Sequence, residues 1–365
     1  MRREQIGIAS GIDRVLVGNR SELDRIEQDL VGNIIVSRAG KADRPRNFDP
    51  KDFIIEDQKD VTVGRVPGKV NGQQFVIQNC ENCNIYIFDH IATVTIDNCT
   101  NCNIFLGPIK TSVFIRTSKN CNLVVACQQF RTRDCNKINI FLFCGTQPII
   151  EASSGMKFAC FQYHYPQLEG QFKSAGLSVF SNTWGTIHDF DQDPSEQHYS
   201  NLPEGSKVED FIPLPQTEDF SSMVISTSEA DSVVPLTLGT RRKISDESCL
   251  IVFFNDGNNT NRALNFLDSM SKHKPGIALV QTKELDMKQS DAVRVFGTDS
   301  FNAIVERGPV IGLEFNGDGC VDTIQNELQQ FMQGMTGLVF VSQSAHMVEK
   351  QLEDFYNFAD MQMAI

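Results

Sequence analysis

No stretch of this 365-residue chain comes near the roughly 18 consecutive apolar residues that a membrane-spanning helix requires. The opening, Met1-Arg2-Arg3, does not lead into the basic-then-apolar pattern of a secretory signal. Positive charge is in deficit: 33 Lys and Arg stand against 46 Asp and Glu, for a formal charge of −13 and a pI of about 5.0. A chain this acidic lacks the basic field on which general nucleic-acid binding depends, so no nucleic-acid partner is expected. An even set of cysteines is also missing. There are 11, an odd number gathered mainly within residues 80–160, which fits reduced thiols acting as small apolar side chains in the cytoplasm. The length allows two domains with full cores.

What the chain does have is a repeat. Asn82-Cys83-Asn84-Ile85, Asn101-Cys102-Asn103-Ile104 and Asn120-Cys121-Asn122-Leu123 recur every 19 residues, and the following coil is two residues short. Units of this size cannot bury an apolar face alone and must stack on their neighbours. Aligning the coils gives one column of Phe75/Ile77, Val94/Ile96, Val113/Ile115 and Phe130/Thr132, and another of Ile85, Ile104, Leu123 and Ile140. Alternation along a strand puts those residues on one face. Asn84, Asn103, Asn122 and Asn139 fall at equivalent corners. The expected fold is a right-handed parallel β-helix; an antiparallel sandwich, the competing architecture, has no need of identical corners.

The same alternation turns Gln129, Arg131 and Arg133 outward in the short coil. Ser112, Phe114 and Arg116 lie one coil below, and Thr93, Thr95 and Asp97 below those. A twenty-residue step, one register open to the next coil, sets Glu151 beside Arg131. Read from residues alone, this arginine pair is either a salt-bridged surface or a functional one.

Cys80-x2-Cys83-x15-Cys99-x2-Cys102 has the spacing of a zinc ribbon. Each pair belongs to a successive coil, however, and Cys121 continues the series with Ser118 in its partner's place. The repeat explains the spacing, and no metal is expected. Elsewhere, residues 1–47 form a flexible N-terminal segment with one helical piece over 21–30 that Ser21 can cap. The β-helix domain occupies 48–215 and closes on Phe158, Phe161, Tyr163, Phe172, Phe180, Trp184 and Phe190, read as core and docking rim. Residues 216–247 read as a linker. In 248–365, strands at 250–254, 276–281, 309–315 and 337–341 alternate with helices at 261–271, 290–296, 321–332 and 347–358. That order predicts an α+β ferredoxin-like domain with additions.

Gln128-Gln129-Phe130-Arg131-x-Arg133-Asp134-Cys135 resembles the signature of the tubulin-folding cofactor C domain family. Val63-Gly64-Arg65, Gly72-Gln73-Gln74-Phe75, the run from Cys80 to His90, Thr146-Gln147-Pro148-Ile149-Ile150-Glu151 and Phe355-Tyr356-Asn357-Phe358-Ala359-Asp360 resemble its retinitis pigmentosa 2 branch. The resemblance covers the chain from about Asp49 to the end. It implies a GTPase-activating protein for an Arf-like small GTPase in its GTP state, acting in ciliary and membrane protein trafficking. Arg131 is then an arginine finger, with Gln129 its neighbour on the catalytic surface. Gln128, Thr111, Ser112, Phe130 and Arg133 are implied around the nucleotide or GTPase, Glu151 as a buttress and Phe190 as a contact. No cofactor of its own is implied, since the partner holds GTP and Mg.

The second domain resembles nucleoside diphosphate kinases. Phe340-Val341-Ser342-Gln343-Ser344 stands where those enzymes carry His followed by Gly-Ser-Asp. Valine cannot accept a phosphoryl group, and His346 at the following helix start reads as a solvated surface residue, so kinase activity is not expected. Members of the family begin Met-Gly-Cys and are acylated there, whereas Met1-Arg2-Arg3 offers no such site. Attachment to the cell membrane or the cilium base is thus implied by resemblance only. Two alternatives stay open: a non-catalytic effector of a GTP-loaded Arf-like GTPase, and a tubulin-folding cofactor.

Overall fold

The structure, a computed structural model, describes residues 49–191, 196–333, 335 and 337–363. The helical piece expected over 21–30 and the segment 1–47 lie outside the described residues.

The coils turn on left-handed corners. Asp57 and Asp60, Asn79 and Asn82, Asn98 and Asn101, then Thr117 and Asn120 hold φ between 51° and 55°. Short side chains that bond their own backbone let Asn and Asp enter a region closed to most L-residues. The corners also stack. Asn98 Nδ2 donates to Asn79 Oδ1 at 2.9 Å, and Asn79 Nδ2 to Asp57 Oδ1 at 3.0 Å. Asn101 likewise donates to Asn82 and Asn82 to Asp60, at 3.0 and 2.9 Å. Both outer ladders therefore end on a carboxylate. The inner ladder is the expected one: Asn139 to Asn122, Asn122 to Asn103 and Asn103 to Asn84, at 2.8, 2.8 and 2.9 Å.

Between corners run β1 (Ile54–Glu56), β2 (Thr62–Arg65), β3 (Phe75–Gln78), β4 (Asn84–Ile87), β5 (Val94–Asp97) and β6 (Asn103–Leu106). They continue with β7 (Ile109–Arg116), β8 (Asn122–Arg133), β9 (Asn139–Cys144), β10 (Ile149–Glu151) and β11 (Met156–Cys160). After helix α1 (Leu168–Ala175), β12 (His188–Asp189) and β13 (Tyr199–Asn201) complete the stack. One wall is β1-β3-β5-β7-β8-β10-β12 and the other β2-β4-β6-β8-β9-β11-β13, parallel throughout. The long β8 rounds a corner and serves both. Phe75, Val94, Val113 and Phe130 are partners in register, as are Ile77, Ile96, Ile115 and Thr132. Thr132 fits this apolar column because its hydroxyl donates to Ser153 Oγ at 3.3 Å.

Burial tells the two walls apart. Along β3 and β5 alternate residues are buried, the pattern of a sheet with one wet face. Along β4 and β6 consecutive residues are buried, because the outer face is covered too. The cover comes from the closing aromatics and from residues 216–247. Phe105 stacks on Tyr163 at 4.1 Å, and Phe220 meets Tyr86 and Phe88 edge-on at 5.8 and 5.6 Å. Trp184 Nε1 donates to Thr237 Oγ1 at 2.9 Å. The stretch expected to be a linker is thus laid against the solenoid, since Phe220 and Val234 are apolar enough to bury. The other wall is left bare.

In the second domain β14 (Ser248–Phe253), α2 (Asn259–His273), β15 (Ala278–Leu285), α3 (Gln289–Phe296), α4 (Asn302–Val305), β16 (Val310–Asn316), α5 (Cys320–Phe331), β17 (Val339–Val341) and α6 (Ala345–Met363) follow in turn. The antiparallel sheet runs β15-β16-β14-β17. This is the ferredoxin-like βαββαβ order, with α3 and α4 inserted and α6 appended. β15 extends beyond the 276–281 expected because Thr282 and Lys283 are buried despite their polarity; the Thr282 hydroxyl donates to Phe180 O at 2.7 Å. Phe180 itself packs into the core of this domain.

Candidate functional site

The bare wall gets its shape from the short coil. Ile109 pairs with Cys127 and Ser112 with Gln129, so Lys110 and Thr111 together face Gln128 alone. Such a bulge re-aims the side chains beside it. Thr111 is lifted out, its hydroxyl donating to Ala92 O at 2.8 Å. Gln128 is turned away from the wall, toward Gly145, where it lines a cavity of about 290 Å³ with Phe143, Gly176, Lys283 and Asp286. It does not share the surface of Gln129 and Arg131, although the two glutamines are adjacent in sequence.

Beyond the bulge the alternation resumes. Gln129, Arg131 and Arg133 point outward in register with Ser112, Phe114 and Arg116. The Ser112 hydroxyl donates to Gln129 Oε1 at 2.9 Å. Asp97 and Arg116 form an ion pair at 3.3 Å one step down the same wall. Phe130, expected among the contacting residues, is 1% exposed and meets Phe158 edge-on at 6.2 Å. The alternation that presents Arg131 necessarily buries it, so it supports the surface from behind.

Arg131 sits between two groups. Its Nη2 is 3.1 Å from Glu151 Oε2, and its guanidinium lies 5.8 Å from the centre of the Phe190 ring. The register is not the expected one: Ile149 pairs with Arg131, and Glu151 with Arg133. Glu151 reaches Arg131 because both side chains leave the same face and lean together. Phe190 arrives from a distance in sequence, through β12 pairing with β10 and its own N–H donating to Ile150 O at 3.0 Å. The Arg131 side chain keeps 33% of its surface exposed. An ion pair this open is worth about 0–1 kcal/mol, so Glu151 orients the arginine without sequestering it.

A polar knot missing from the sequence reading lies just behind Phe190. His198 Nδ1 is 2.7 Å from Asp189 Oδ2, and its Nε2 is 3.3 Å from Glu196 Oε2. Bonding to Asp189 first and Glu196 second raises the His198 pKa above its ordinary value. Asp191 accepts from Ala152 N–H. Among the described residues, Asp189, Asp191 and His198 are the one set of His, Cys, Asp or Glu close enough to share an ion, and their polar atoms already engage one another and Ala152. The cysteines form ladders instead. Cys102 Sγ donates to the carbonyls of Cys80 and Thr100, both at 3.4 Å, and burial pushes the Cys135 and Cys160 thiols up to about 11. Those two thiols, outside the Cys80–Cys102 set, are protonated at neutral pH; within the set the sulfurs bond one another, which lowers the Cys80 and Cys102 thiols and raises that of Cys99.

Residues 72–190 match the family model Tubulin binding cofactor C. Protein XRP2 of Gallus gallus is 56% identical over 325 residues, spanning 88% of this chain and 90% of its own. Protein XRP2 of Homo sapiens is 54% identical, spanning 88% and 92%. The chain belongs to the XRP2, or retinitis pigmentosa 2, family. The human Tubulin-specific chaperone C is 36% identical over 85 residues, 22% of this chain and 25% of its own. XRP2 similarity thus runs through both domains, and the chaperone's covers a short part. In the second domain of this XRP2 family member, Val341 ends β17 and the Ser342 hydroxyl donates to Gln351 Oε1 at 2.8 Å. His346 is exposed.

Proposed function

We propose that the bare wall stimulates GTP hydrolysis on an Arf-like small GTPase by lending Arg131 in trans. One observation carries this reading: a half-exposed arginine side chain, fixed on a rigid strand and flanked by Glu151 and Phe190, stands on the long wall of the solenoid that the closing segments leave bare. Phosphoryl transfer spreads negative charge over the γ-phosphate oxygens, and an arginine supplied in trans typically adds about 10³–10⁵ in rate. Arginine suits this because its planar fork bonds two oxygens and stays charged. A strand holds the fork more firmly than a loop. Gln129, steadied by Ser112, is placed to approach the same phosphates, with Thr111 at the rim. GTP and Mg belong to the GTPase, and the site acts at the cell membrane or the cilium base where that partner resides. Phosphate transfer by the second domain is not part of this function, since Val341 has no nucleophile.

The test is single-turnover GTP hydrolysis on a panel of Arf-like GTPases. Arg131→Ala and Arg131→Lys are both expected to lose most of the acceleration, the lysine because it cannot bond two oxygens in one plane. Binding of the GTP-loaded partner is expected to fall much less. The Arg131–Glu151 pair also suits a second reading, in which Arg131 serves only as a binding contact. On that reading the unaltered protein binds without accelerating hydrolysis, which would remove the catalytic role.

A further inference from the structure

We propose that His198 is a positioning residue for Arg131, holding the strand that carries Phe190 against the guanidinium. The functional side of the inference rests on the finger role given above.

Phe190 is 45% exposed, so little of its own packing fixes it. The strand it follows, β12, spans two residues paired with β10, and its ends are tied by His188 N–H to Pro148 O at 2.8 Å and Phe190 N–H to Ile150 O at 3.0 Å. A strand this short needs another anchor. Asp191, accepting from Ala152 N–H, supplies one directly after Phe190, and Asp189 supplies a second, facing away from Phe190 by alternation. Its Oδ2 meets His198 Nδ1 at 2.7 Å, and its Oδ1 accepts from Asp191 N–H at 3.0 Å.

His198 is well placed to bear that load. Its carbonyl accepts from Met156 N–H at 3.0 Å, and Tyr199 directly after it begins β13, which pairs with β11. The backbone of His198 therefore belongs to the covered wall and its ring reaches the bare one, bridging the corner between them. Its side chain is 11% exposed, so water competes weakly for its bonds. Three carboxylates, Asp189, Asp191 and Glu196, surround the ring. Without His198 those like charges repel across the base of Phe190, and the ring is free to leave Arg131.

The experiment reads the Arg131 Nε–H resonance of the full-length protein, which the Phe190 ring current displaces. Phe190→Ala calibrates that displacement. His198→Ala is expected to move the signal to the position seen in Phe190→Ala, and His198→Asn, which keeps a polar atom where Nδ1 stood, to return it toward the native position. In single-turnover hydrolysis His198→Ala is expected to lose about tenfold at saturating activator, less than the roughly 10²-fold that a full 1 Å misplacement costs, because Glu151 still holds Arg131. An unmoved Arg131 signal in His198→Ala, where Phe190→Ala moves it, would overturn the proposal. Should His198→Ala not fold, Asp189→Ala removes the other half of the contact and is judged by the same shift. If Arg131→Ala keeps full activation, the finger role fails, while the resonance still decides whether His198 places Phe190.

Discussion

The inner asparagine ladder is open to a quantitative test through Asn103→Ala. Asn103 Nδ2 donates to Asn84 Oδ1 at 2.9 Å and its Oδ1 accepts from Asn122 Nδ2 at 2.8 Å. Each such bond contributes about 1 kcal/mol net, and a donor or acceptor left buried and unpaired costs about 1–3 kcal/mol more. Asn122 keeps a second acceptor, Phe211 O at 3.1 Å, and Asn84 keeps its own donation to Thr62 at 3.3 Å. The main orphan is therefore Asn84 Oδ1, half-buried and partly open to water. The expected loss is about 2–3 kcal/mol, counting the two bonds and a discounted orphan. The assay is urea unfolding followed by the emission of Trp184, the single tryptophan, which is buried in the solenoid core. The slope with urea should be unchanged, which marks a loss of stability rather than of compactness. As an internal control, Asn98→Ala cuts the solvent-exposed ladder and places alanine at φ 51°; its expected cost is about 1–2 kcal/mol, from the left-handed backbone alone. An Asn103→Ala protein within about 0.5 kcal/mol of the parent, the range of an ordinary surface change, would refute the claim that side-chain amides hold the coils in register.

Removing residues 248–365 uncovers Phe180, which is fully buried in the second domain's core. The truncated protein is expected to associate on size-exclusion chromatography, and Phe180→Ser to return it to a monomer; a monomeric truncation with Phe180 intact would contradict the packing. Chelators are expected to leave the melting temperature unchanged and metal analysis to find less than one zinc per chain, because the thiols donate to carbonyls. Arg262 grips Asp256 with its two terminal guanidinium nitrogens, Nη1 at 3.1 Å, and holds its carboxyl below the usual range. A carboxylate lowered on folding stabilises above its unfolded pKa and loses that contribution as pH falls through the folded value. Arg262→Ala should therefore raise the Asp256 pKa toward about 3.9 in a carboxyl NMR titration and weaken the pH dependence below that range.

The coil was legible in the sequence because a stacked repeat carries its geometry in short-range pattern. Side chains alternate along each strand, and each coil lies directly over the last. Aligning Val94, Val113 and Phe130 by eye therefore already sets them in register, and the outward direction of Gln129, Arg131 and Arg133 follows from the inward direction of Phe130 and Thr132. The Asn84–Asn103–Asn122–Asn139 column was readable for the same reason. The strand–helix alternation of the second domain was legible too, except where buried polar residues hid the end of β15.

What surrounds Arg131 could not be read that way. Its ion pair with Glu151 depends on how two side chains lean across a register that pairs other residues. The bulge at Lys110 and Thr111, which turns Gln128 aside, comes from closing a coil two residues too short. Phe190 and His198 lie beyond the last regular repeat and return by strands of two and three residues, too short to show any period. The bareness of one wall was decided by where residues 161–187 and 199–243 pack, covering Tyr86 and Phe105 but leaving Arg131. Local pattern fixes which way a side chain points, because backbone sterics act between neighbours. What it points at is settled by segments brought together only when the chain folds.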